Sequence, residues 1–119
     1  NFAAIGATTA YAVPASGAGT YRVSWVADVT VAAATSSTLG GTTGFQVSYT
    51  DANDSVVKTS NPTTTTFMTS TANTTATSVS GSFIVNCKAS TNLQYLIGYT
   101  SIGFPAMTYN LHIEIEYLG

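Results

Sequence analysis

Residues 107–117 read MTYNLHIEIEY, and this stretch decides the fold class. Large apolar side chains stand at every second position, and polar ones, including His112, Glu114 and Glu116, fill the positions between. A period of two is typical of a β-strand with one face buried and the other in solvent. Since a free terminal strand would fray, the sequence predicts that this strand pairs deep in a sheet.

The same alternation recurs upstream of this strand. It is strongest over residues 20–33, where Tyr21, Val23 and Trp25 begin one face and Arg22 and Ser24 the other. Further strands are expected at residues 45–49, 56–59, 82–89 and 93–99. Asp and Asn residues at 50–54 predict a turn, and residues 36–43 are expected to form a loop around two glycines. The threonine-rich residues 63–77 are compatible with a strand or a loop.

This organisation predicts a single all-β domain. Several short strands separated by turns every 8–12 residues are typical of an antiparallel β-sandwich or jelly roll, here over residues 20–119. Residues 1–19 are small and irregular, with Pro14 and a Ser-Gly-Ala-Gly run. We expect them to form an N-terminal arm with one short strand around residues 10–13.

Composition excludes several classes of protein. The 119 residues include 22 threonines and 13 serines but only three Lys or Arg and five Asp or Glu. Charged residues are 7% of the chain, against about 25% in ordinary soluble domains. Three cations are too few for binding nucleic acid through its phosphates. No apolar run reaches the ~18 residues of a membrane-spanning helix, so neither nucleic acid nor membrane is expected as a partner.

Two stretches carry a resemblance to known families. Residues 18–25, AGTYRVSW, resemble the opening strand of tumour-necrosis-factor-like and complement-globular-head jelly rolls. Residues 107–119, MTYNLHIEIEYLG, resemble the closing strand of similar domains in tailed-phage structural proteins. The resemblance implies a jelly roll that assembles as a homotrimer on the virion surface, as a capsid decoration, a fibre head or a tail-fibre tip. The chain lacks the acidic calcium-site clusters and receptor-recognition loops that some of those relatives carry.

The polar face of the last strand is a candidate interaction surface. His112, Glu114 and Glu116 are spaced by two, so they share one side of the strand. Imidazole and carboxylates are also metal ligands, but no second His and no suitably spaced thiolate supports a metal site. A solvent-facing or interface-facing stripe is the expected role, with Arg22 or Lys88 as a pairing cation. Arg22 and Tyr109 complete the set of interface candidates.

No catalytic or cofactor site is expected. One His and no Gly-x-Ser-x-Gly elbow make a nucleophilic triad improbable, and two Glu on one strand are poorly placed for glycoside hydrolysis. Cys87 falls on an apolar face and is expected to be a small buried hydrophobe. Asp51, Asn53 and Asp54 lack the spacing of a calcium loop.

Three functions follow from these observations. A structural role in a homotrimer that docks on other virion proteins is expected first, because a surface with few charges suits permanent assembly. The second is a receptor- or carbohydrate-binding tip, with Phe67, Met68 and Phe104 as loop residues that would contact a host-surface glycan. The third is a subunit of a cell-surface filament, which would polymerise without closure.

Overall fold

The structure is a computed structural model that describes residues 4–39, 45–60, 68–71 and 78–119. These residues form strands and turns without a helix. The strands are, in chain order, β1 Ile5–Ala12, β2 Gly19–Val31, β3 Ser36–Leu39, β4 Phe45–Thr50, β5 Val57–Ser60, β6 Met68–Thr71, β7 Ser78–Cys87, β8 Asn92–Ile97, β9 Tyr99–Ile102 and β10 Thr108–Tyr117.

The described strands form three antiparallel sheets. The first sheet has the order β1-β8-β4-β5, the second β10-β2-β7 and the third β6-β3-β9. The expected all-β, antiparallel fold class is therefore confirmed. The strongest predicted strand is also present, since β2 buries Tyr21, Val23 and Trp25 and exposes Arg22.

The core lies between the first and second sheets. Trp25 of β2 stacks on Phe45 of β4 with ring centroids 4.6 Å apart, and Phe83 and Tyr95 stack on the same Phe45 ring at 6.0 and 6.3 Å. These two sheets consequently pack face to face as in a β-sandwich. Gly81 lies opposite Trp25 in the β2–β7 register, and a Cβ there would come within 3.1 Å of the indole, so the missing side chain makes room for the ring.

The predicted turn at residues 50–54 and the hairpin around it are present. Strands β4 and β5 pair with Thr50 opposite Val57. The Asn53 backbone N–H donates to Asp51 Oδ1 at 2.7 Å, and the Val56 N–H donates to Asp54 Oδ1 at 3.0 Å. These carboxylates cap the turn, as Asp does in Asx turns.

Three expectations about strands were wrong. The loop expected at residues 36–43 begins with β3, which is paired on both sides, by β6 and by β9. The single strand expected over residues 93–99 is divided at Gly98 between β8 of the first sheet and β9 of the third. The last strand was expected deep in a sheet. Among the described strands, β10 instead lies at the edge of the second sheet and pairs only with β2.

The N-terminal segment differs from the expected arm. Strand β1 covers Ile5–Ala12, begins earlier than the short strand expected around residues 10–13, and pairs with β8 at the edge of the first sheet. Two register shifts interrupt this pairing. The edge of the first sheet is thus irregular, whereas β10 is regular from Tyr109 to Tyr117.

Candidate interaction surfaces

The outer face of the second sheet holds the predicted polar stripe. The β10–β2 register places Glu116 opposite Arg22, Glu114 opposite Ser24 and His112 opposite Val26. His112, Glu114 and Glu116 are all exposed. A shallow depression of about 310 Å³ lies on this face and is lined by Ser24, Trp25, Val26, His112, Ile113 and Glu114.

Arg22 is the cation that pairs with the stripe. Its Nη1 lies 3.0 Å from Glu116 Oε1, and both side chains are about half exposed. An exposed ion pair contributes little to stability, so its main effect is to hold the two side chains across the strands. Lys88, the other expected cation, donates from Nζ to Ser55 Oγ at 2.9 Å, away from the stripe.

Tyr109 was predicted as an interface candidate, but the structure places it in the core. Its side chain is 0% exposed, and its ring lies 5.8 Å from that of Tyr99 on β9. Burial raises the pKa of its hydroxyl to about 12. Tyr109 shares its strand face with Leu111 and Ile113, which point inward, and β9 covers this end of the face.

A groove opens between the first and second sheets, where β1 faces β10. It has a volume of about 480 Å³ and is lined by Thr9, Ala10, Tyr11, Tyr95, Leu111, Ile113 and Ile115. Leu111, Ile113 and Ile115 are only partly buried in the described structure, because the Ala and Thr side chains of β1 are too small to fill the space. Sequence alternation indicated that these three side chains face inward, but not that the facing strand leaves them only partly buried.

Three tyrosines cluster beside this groove. Tyr21 lies between Tyr11 and Tyr117, with ring centroids 5.6 and 5.0 Å away. The Tyr21 hydroxyl donates to the Gly17 carbonyl at 2.5 Å, and burial raises its pKa. Tyr117 is 55% exposed, so one edge of the cluster is open to solvent. Tyr117 follows the apolar phase of β10, and its place at the end of an edge strand is the reason that it is exposed.

Phe104 is the most exposed of the large hydrophobic residues described. It is 92% exposed in a loop that is anchored on both sides. The Thr35 N–H donates to the Ile102 carbonyl at 3.0 Å, the Ala34 N–H to the Pro105 carbonyl at 3.2 Å, and the Met107 N–H to Ser101 Oγ at 2.8 Å. Of the other two loop candidates, Phe67 lies outside the described residues, and Met68 begins β6, where only the backbone is described.

The remaining charges are concentrated at the β4–β5 hairpin. Lys58 Nζ lies 3.2 Å from Asp51 Oδ2 and 3.0 Å from Asp54 Oδ2. The N–H of Asn53 and then Lys58 lower the pKa of Asp51. The N–H of Val56 and then Lys58 lower that of Asp54. Lys58 offsets one of the two carboxylates, so this cluster keeps a single net negative charge.

Cys87 is a core residue, as predicted. It is 1% exposed, and burial raises the pKa of its thiol to about 11. Since the thiolate is the reactive form, this sulfur is a poor nucleophile at neutral pH. Within the described ranges there is no group of three or more His, Cys, Asp or Glu that could hold a metal ion.

Comparison of the chain with protein-family models, curated proteins and solved structures finds no match. In the part of the chain that the structure describes, no helix is long and apolar enough to cross a membrane. The geometry of the exposed surface is therefore the basis for a functional proposal.

Proposed function

We propose that this chain is a structural subunit of a virion surface, a jelly-roll domain that assembles as a homotrimer and docks on other virion proteins. The observation that carries the proposal is the character of its exposed surface, which combines large apolar side chains with very few free charges. The resemblance of residues 18–25 and 107–119 to jelly-roll strands, with its implication of a phage decoration or fibre-head domain, supports the same role.

The apolar part of this surface includes large aliphatic and aromatic side chains. The described residues expose nine large hydrophobic side chains, which are Tyr11, Val31, Val56, Val57, Ile84, Ile102, Phe104, Tyr117 and Leu118. Single exposed hydrophobic residues are normal. Here they recur on a surface that has few charges to keep copies of the chain apart.

The charged part is small and mostly paired. All eight charged residues lie in the described ranges. Arg22 and Lys58 form ion pairs, and Lys88 donates to a serine. Such a surface is stabilised when it is buried against copies of itself or against another shell protein. Arg22 and Glu116, which form an ion pair across β2 and β10, are the polar residues available to orient that contact.

The assembly is tested by light scattering of the purified chain after size exclusion, over a hundredfold dilution. A mass that does not fall below three chains on dilution supports closed trimers. Open-ended polymers would instead favour a filament subunit, because a heterologous contact that does not close propagates. The virion location is tested by density-gradient purification of tailed particles from cells that produce the chain. Its absence from the particle fraction refutes that location.

A second candidate function is favoured by Phe104. An aromatic ring that is 92% exposed on an anchored loop can stack on a sugar ring with little loss of side-chain freedom. This would be the receptor- or carbohydrate-binding tip of a tail fibre. Saturable binding to a glycan panel that is lost in F104A and kept in Y117A, an exposed aromatic elsewhere, supports it. Absence of binding by the wild type refutes it.

A further inference from the structure

The free edge of β10 presents unpaired backbone groups in a regular array. Within the described strands, β10 hydrogen-bonds to β2 alone. The Leu118 N–H donates to the Thr20 carbonyl at 2.8 Å. In an antiparallel pair, alternate residues bond toward the partner, so Glu116, Glu114 and His112 also bond toward β2. Ile115, Ile113 and Leu111 therefore direct their N–H and C=O groups away from it.

Within the described residues, this edge lacks several of the features that normally prevent edge-to-edge pairing. Natural edges are protected by bulges, prolines, inward-pointing charges or a short length. Strand β1 has two register shifts, whereas β10 keeps a continuous register from Tyr109 to Tyr117. It contains no proline, and its charged side chains are on the outer face. Among the described strands, none pairs with this edge.

The sequence of β10 is complementary to itself in one register. We propose that β10 pairs antiparallel with β10 of a second copy around a two-fold axis at Ile113, which joins two second sheets into one six-stranded sheet. Ile113 then lies opposite Ile113, and Leu111 lies opposite Ile115, all with hydrogen-bonding groups that face the partner. His112 lies opposite Glu114 of the second copy, twice per contact.

The charges select this register over its neighbours. Side chains directly opposite each other in an antiparallel pair share a face, so only shifts by whole side-chain periods keep the apolar residues inward. One such shift places Glu114 opposite Glu114, and the opposite shift places His112 opposite His112. In the proposed register, His112 and Glu114 form a pair without mutual backbone bonds, in which side chains are closest. An imidazole N–H can then donate to the carboxylate.

The contact also buries apolar surface on the inner face of β10. Leu111, Ile113 and Ile115 are partly buried and line the groove of about 480 Å³. A second copy brings its own three side chains alongside them, and the two grooves meet across the axis. Burial of the remaining exposed area of these aliphatic side chains favours the paired state.

This inference goes beyond the proposed trimer. A two-fold contact is isologous and closes on itself. With its axis perpendicular to the three-fold axis of the trimer, it joins two trimers into an assembly of six chains. If the trimer does not form, the same contact yields a dimer. The solution mass therefore distinguishes failure of the two-fold contact from failure of the three-fold one.

The test measures the solution mass and the dissociation constant of four proteins by light scattering and sedimentation. They are the wild type, H112E, the exchange variant H112E/E114H, and the control S82E, which adds a carboxylate on β7 of the same outer face. H112E places carboxylates opposite each other twice and is expected to weaken the contact about tenfold. The exchange variant restores two His–Glu pairs, and we expect its dissociation constant to return to the wild-type value. S82E leaves the contact unchanged.

A mass of six chains that falls to three in H112E and returns in the exchange variant supports the contact. A wild-type mass of two chains that falls to one in H112E and returns to two in the exchange variant supports the β10 contact and refutes the trimer. A wild-type mass of three chains or one chain refutes it, as does equal weakening by H112E and S82E. Hydrogen exchange gives a second readout, since the Leu111 and Ile113 amides should lose protection on dilution if the contact exists.

Discussion

Replacing Phe45 with alanine removes the ring at the centre of the contact between the first and second sheets. Phe45 is 0% exposed and stacks on Trp25 at 4.6 Å, on Phe83 at 6.0 Å and on Tyr95 at 6.3 Å. Truncating a buried Phe costs about 3–5 kcal/mol through lost burial and the cavity that remains. Since three rings share this contact, we expect a loss of about 4 kcal/mol in the free energy of unfolding.

The matched control is the same substitution at Phe104, which is 92% exposed and should change the free energy of unfolding by less than about 0.5 kcal/mol. Urea unfolding followed by Trp25 fluorescence and circular dichroism measures both variants. All samples are kept at one chain concentration, because the stability of an oligomer depends on it. A loss below about 1.5 kcal/mol for F45A, or a larger loss for F104A, would refute this description of the core.

Further predictions concern a glycine, a carboxylate and the thiol. G81A should destabilise the fold by about 1–3 kcal/mol, since its Cβ would lie 3.1 Å from the Trp25 ring. G6A, with open space around its Cβ, should be neutral or slightly stabilising in the same urea titration. The folded-state pKa of Asp51 is lowered by a backbone N–H of its own turn and then by a lysine. The stabilisation that the ionised Asp51 gives is fully present above its unfolded pKa of about 3.9 and is lost as pH falls through the folded pKa. In D51N, the free energy of unfolding should therefore fall less steeply below about pH 4 than in the wild type. Cys87, whose pKa burial raises to about 11, should react with a disulfide reagent at pH 8 only as fast as the chain unfolds, and immediate labelling would contradict its burial.

Alternation was sufficient to predict β2 and β10, two of the three strands of the second sheet. In β2 and β10 every second side chain is apolar, and this pattern determines which residues face inward. The hairpin at residues 50–54 was predictable because Asp and Asn side chains bond to their own backbone. These signals are local, because they depend on neighbouring residues and not on pairing with distant segments.

The strands that were missed or divided depend on distant partners. Strand β3, Ser36–Leu39, has little apolar alternation and is held by β6 and β9 on its two sides. The division of residues 93–99 at Gly98 similarly follows from pairing in two different sheets. Pairing between segments far apart in sequence leaves no mark in a window of a few residues, so pattern reasoning could not predict it.

The candidate surfaces were predictable to a similar degree. The phase of β10 placed His112, Glu114 and Glu116 together, and the register then brought Arg22 to Glu116. The burial of Tyr109 and the groove beside Leu111 depend on how strands of different sheets cover each other. The free edge of β10 depends on strand order, which the sequence pattern does not contain.

The most direct test of assembly as the function is the solution mass of the unmodified chain, measured by light scattering from micromolar concentrations upward. We predict a mass that does not fall below three times 12.2 kDa on dilution and that rises to six times 12.2 kDa where the β10 edges pair. A mass of a single chain at every concentration would contradict it.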